Sequence, residues 1–98
     1  MLKRGHAHSQ WLDPSLLHQT HSESLEDGTV LEVQARLSRT GATQLFLGIY
    51  SADGACIHER FYDQRPGETT TRALLWGLGR ARRLAAEARQ HGDWIINQ

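Results

Sequence analysis

The stretch that decides the fold is residues 29–63, TVLEVQARLSRTGATQLFLGIYSADGACIHERFYD, where side-chain character alternates with a period of two in successive runs broken by glycine-bearing turns. Leu31, Val33, Ala35 and Leu37 alternate with Glu32, Gln34, Arg36 and Ser38, the pattern of a strand with one face buried. Residues 43–51 set Leu45, Leu47 and Ile49 against Phe46, Gly48 and Tyr50. Residues 55–63 set Ile57 and Phe61 against Cys56, His58, Arg60 and Tyr62. A tight Asp53-Gly54 turn would pair Tyr50 with Ile57 and place the two apolar sets on opposite faces. A loop of Ala52, Asp53 and a left-handed Gly54 instead pairs Ile49 with Ile57 and Leu45 with Phe61. The same logic at Arg39-Thr40-Gly41 pairs Leu37 with Thr43, Ala35 with Leu45 and Val33 with Leu47. Three antiparallel strands in a meander, with one common core face, are expected.

C-terminal to this stretch the period becomes helical. Leu74, Leu78, Ala81, Ala85 and Ala88 fall on one stripe, which predicts a helix from about Glu68 to His91, stopped at Gly92, that covers the sheet. The expected core is Leu31, Val33, Leu45, Leu47, Ile49, Ile57, Phe61, Leu74, Leu78 and Ala81. Residues 94–98, WIINQ, are placed either to add a short fourth strand or to pack across an edge. On the N-terminal side, residues 1–10, MLKRGHAHSQ, lack periodicity and read as a disordered tail. In WLDPSLLHQ, Asp13 as cap and Pro14 at the first helical position suggest a short helix, and the polar THSESLEDG reads as a connection. The fold class is therefore α+β, with a single domain over residues 11–98.

Composition narrows the function classes. The chain has 98 residues with eleven basic and eleven acidic side chains, so a phosphate-binding role would have to rest on a local patch. Such a patch is C-terminal: residues 68–98 hold five basic and three acidic side chains, residues 1–28 two and four. One cysteine excludes an intramolecular disulfide, and the N-terminus has no long apolar run, so a cytoplasmic protein without a membrane partner is expected. Arginine outnumbers lysine ten to one, a composition of GC-rich bacterial genomes.

Two surfaces are left for partners. In residues 72–83, RALLWGLGRARR, Trp76 lies off the buried stripe beside Arg72, Arg80 and Arg83; it is either covered by a terminal segment or open as an aromatic and arginine patch. Gly77 flanks the stripe and Gly79 flanks the ring; each costs about 1 kcal/mol of helix propensity relative to Ala, which implies a packing reason. The second sheet face gathers Phe46, Tyr50, His58, Arg60 and Tyr62 and needs cover, from Trp11, Leu12, Leu16 and Leu17 or from a second copy of the chain.

Evidence for chemistry is thin. The closest spacings among six histidines, His6-x-His8 and His18-x-x-His21, are completed by no cysteine or carboxylate, so no metal or cofactor is expected. Cys56 and His58 share a strand face about 6–7 Å apart, too far for a nucleophile and its base. Three antiparallel strands followed by TTTRALLWGLGRARRLA resemble the first half of the ribonuclease H-like fold over residues 29–98. That family uses acids on its first strand and helix, where this chain has Gln34, Ala73 and Leu74, so the resemblance implies architecture without the catalysis. The sequence thus points to a non-enzymatic protein-interaction or regulatory module, homodimeric through the aromatic face, or alternatively to nucleic-acid binding through the helix.

Overall fold

The computed structural model describes residues 2–64 and 69–91, with side chains up to Ala88. In chain order the elements are α1 (His6–Trp11), β1 (His18–Ser24), β2 (Val30–Leu37), β3 (Thr43–Tyr50), β4 (Cys56–Tyr62) and α2 (Thr70–His91). The strands form one antiparallel sheet in the order β1-β2-β3-β4. The three strands expected from the alternation are β2, β3 and β4, and a fourth lies before them. Residues 94–98, the other candidate for a fourth strand, lie outside the described residues.

All three hairpins turn in the same way. Gly28, Gly41 and Gly54 have φ of 88°, 86° and 90°, and each donates its N–H to the carbonyl three residues back. Only glycine takes this left-handed conformation without a steric penalty. The turn at Gly41 fixes the β2–β3 register as expected, with Val33 opposite Leu47 and Ala35 opposite Leu45.

The β3–β4 hairpin starts in the expected register, Tyr50 opposite Cys56, but a bulge between Ile49 and Tyr50 shifts the rest of β4 by one residue. Beyond it His58 faces Ile49, Arg60 faces Leu47 and Tyr62 faces Leu45. Every later side chain of β4 thereby changes face. Tyr62 joins the helix-side core beside Val33, Leu47 and Leu74, whereas Phe61 turns to the opposite face against Trp11. The expected placement of Phe61 in the core and of His58, Arg60 and Tyr62 on the second face is corrected accordingly.

α2 lies over β2 and β3 and reaches β1. Thr69 caps it, its Oγ1 accepting the Arg72 N–H at 3.1 Å, which satisfies one of the free donors of the first turn. The stripe packs in steps along the sheet: Ala73 on Ala35 and Leu45, Leu78 on Val33 and Leu47, Ala81 and Ala85 on Leu31 and Ile49. The rest of the expected core is present, with Ile57 and Leu74 half-buried at its margin.

The N-terminal part departs most from the expectation. The connection over residues 18–24 is strand β1, paired throughout with β2. Its sequence HQTHSES buries almost nothing; it is held by backbone pairing to β2 rather than by an apolar face. The expected helix after Asp13 is a turn, in which Asp13 Oδ1 accepts the Ser15 N–H at 3.0 Å. The helix lies instead at His6–Trp11, all but its last residue in the stretch expected to be a tail, and residues 2–12 form a strap across the sheet face opposite α2.

Candidate functional site

The strap covers the second face with both rings and charges. Trp11 is 2% exposed; its ring lies 5.9 Å from Phe46 and 6.5 Å from Phe61, with the Arg36 guanidinium 3.7 Å above it. Its indole N–H donates to Gln34 Oε1 at 3.0 Å. His8 meets Phe46 edge-on at 5.3 Å. Phe46 and Tyr50 are buried, each such side chain contributing about 1.5–3 kcal/mol when fully removed from water. Of the four residues expected to provide this cover, Trp11 does so, while Leu12 and Leu17 point to solvent.

Beneath the strap runs a connected polar chain. Arg4 forms an ion pair with Glu32 and donates to the Tyr50 hydroxyl at 3.0 Å. Tyr50 donates to Glu59 Oε2 at 2.6 Å. Glu59 also accepts the backbone N–H groups of Gly5 and His8, at 3.0 and 3.1 Å. Burial and the bond to Glu59 push the Tyr50 phenol well above its ordinary range, so it stays a donor. Burial alone would raise Glu59, but the two N–H groups and the phenol outweigh it and hold the carboxyl below its usual range. Burial and the Arg4 charge hold His8 below the ordinary imidazole value. Among the described residues no buried side-chain nitrogen or oxygen lacks a hydrogen-bond partner. Two carboxylates with every contact engaged, under a covering segment, make a clamp that fastens the strap.

The other expected surface is partly exposed. Among the described residues β4 is an edge strand, and α2 is centred on its neighbours, so these elements cover the helix-facing side of β4 only in part. There Trp76, 38% exposed, meets Tyr62 edge-to-face at 5.3 Å and 89°, and the Arg60 guanidinium lies 4.9 Å from the Tyr62 ring. His58 is held below the ordinary imidazole value by burial and then by the charges of Arg60 and Arg80. Arg72 and Arg83 lie one turn before and two turns after Trp76 on the exposed side of α2. None of the ion pairs among the described residues uses Arg60, Arg72, Arg80 or Arg83. Arg82, on the opposite flank, donates to Glu23 of β1 at 2.8 Å.

The nine expected partner-binding residues thus divide. Phe46 and Tyr50 are interior; His58, Arg60, Tyr62, Trp76 and Arg80 come together along β4 and α2, with Arg72 and Arg83 continuing the surface. The bulge makes this grouping, since without it the β4 residues would lie on the strap side. It also separates Cys56, which faces Gly5 of the strap, from His58. Sequence reasoning passed over Arg4, Glu32 and Glu59. The available signal was three polar side chains, Glu32, Gln34 and Arg36, on the same face of a central strand as the rings opposite, a pattern that calls for internal partners.

Among the described residues no helix is long and apolar enough to cross a membrane, and no three metal-ligating side chains converge. Comparison with protein-family models, with curated proteins and with solved structures finds no match to this chain.

Proposed function

We propose that this protein is a non-enzymatic binding module that engages an acidic protein partner through the α2–β4 surface. The observation that carries this reading is the exposed Trp76 on Tyr62, set among four arginines that form no ion pair among the described residues. Tryptophan, tyrosine and arginine supply most of the energy in protein interfaces, because each combines a large apolar area with a polar or charged group. Arginine without an internal carboxylate can offer its planar fork to a carboxylate on a partner. The aromatic face expected to mediate homodimerisation is occupied by the strap, and among the described residues the α2–β4 side combines partly exposed rings with charge.

Titration with poly-glutamate at low ionic strength tests the reading. Binding is expected to change tryptophan emission, to lose that signal in Trp76→Phe, and to weaken as salt is added. The Arg60→Glu/Arg80→Glu double variant should abolish binding, whereas Lys3→Glu/Arg39→Glu, with the same net charge, should bind like the parent. Equal loss in the two double variants would refer binding to overall charge and overturn the assignment of the surface.

A further inference from the structure

The geometry points to β-strand addition: an extended acidic segment of a partner protein pairs with the free edge of β4, its alternate carboxylates facing His58, Arg60 and Arg80. The proposal rests on the reading above and adds the mode and the partner's sequence pattern. Among the described residues β4 has a strand neighbour on one side only, and the backbone hydrogen bonds outside the sheet and helices fall on none of its residues. Such an edge presents donors and acceptors to a further strand. The mainly polar edge β1 offers a backbone but neither a tryptophan nor a tyrosine of its own, and its Glu23 already takes Arg82.

The side chains of β4 set the pattern. On the helix side an added strand would find His58, Arg60 and Tyr62 as cross-strand neighbours, with Trp76 and Arg80 behind them. Opposite charges directly across a strand pair attract, so acidic residues belong there. On the strap side it would find Glu59 and Phe61, where a further carboxylate is repelled. A segment alternating acidic with neutral residues fits, and a continuous acidic run does not.

The test uses the intact protein and fluorescein-labelled peptides of about ten residues, the length of a long strand. One alternates Glu and Thr; a second has the same composition with all Glu in one block. Two N-methylated versions of the alternating peptide carry methyl groups on every second amide, in opposite phases. The alternating peptide should bind most tightly. One methylation phase should lose at least about tenfold in affinity and the other little, since successive amides of a strand point to opposite edges. Equal binding of the alternating and block peptides, or indifference to methylation in both phases, overturns strand addition while the α2–β4 surface remains assigned. Failure of all four peptides and of poly-glutamate overturns the surface itself. Tighter binding of oligo(dT) than of the alternating peptide, with Trp76 emission quenched, replaces the protein partner by a single-stranded nucleic acid.

Discussion

Trp11 shows how much one side chain can hold. Truncation to Ala removes ring contacts with Phe46 and Phe61, the stack under Arg36 and the partner of Gln34. A loss of about 3–5 kcal/mol is expected in urea unfolding. Trp11→Phe keeps most of the apolar area and strands Gln34, so about 1–3 kcal/mol should be lost. A residue in a frayed tail would lose nothing measurable in either variant. Two other strap contacts make stability depend on pH. The folded His8 has a lowered pKa, so the unfolded chain takes up the proton first, and stability falls as pH drops below about 6.5, the ordinary imidazole value. The lowered Glu59 contributes stability that is present above the ordinary carboxylate range and is lost as pH falls through its folded pKa. His8→Gln should flatten the first part of the curve of unfolding free energy against pH, and Glu59→Gln the second.

Elements that bury one regular face were legible, and those held in other ways were not. β2, β3 and α2 each carry a clear period because each puts one side on the core. β1 carries none, since its seven residues attach through the backbone and leave their side chains in water. The bulge in β4 was hidden because Phe61 and Tyr62 are adjacent rings, and either phase delivers an aromatic side chain to the core. α1 has a single buried anchor, Trp11, and its other fastenings are charges on strands far along the chain. On α2 the two glycines differ in a way spacing alone could not show. A Cβ at Gly77 would meet both Leu45 methyls at 3.0 Å and Val33 at 3.3 Å, whereas one at Gly79 meets nothing within 4 Å. Gly79→Ala is therefore expected to stabilise the protein by about 1 kcal/mol through helix propensity. Gly77→Ala should forfeit that gain, because Leu45 must move. Thermal melts that rank the two variants in the opposite order would contradict the close approach of α2 to the sheet.

At the scale of the molecule, the sheet is covered on one face by a helix and on the other by a segment of a dozen residues. Deleting residues 2–12 would bare Phe46, Tyr50 and Phe61 together and leave Glu32 without its arginine. An uncovered aromatic face of this kind associates. The shortened chain should show a mass that rises with concentration in light scattering, while the intact chain should not associate through this face. The sequence put Trp76 beside Arg72, Arg80 and Arg83 off the buried stripe, because a helical wheel resolves this, and Trp76, Arg72 and Arg83 are exposed. It could not foresee the grouping of these residues with Tyr62, which depends on the bulge.

The strap is made before the surface that holds it. Glu59, which fastens Gly5, lies 54 residues further along the chain. At about 5–20 residues per second during synthesis, residues 2–12 wait several seconds for their site, and once they have left the ribosome Trp11 is accessible to chaperones and proteases until that site follows. Ribosome-bound chains in which Glu59 has not left the ribosome should be cleaved readily within residues 2–12, and chains lengthened until β4 has emerged should resist. Docking of the strap therefore follows the synthesis of β4.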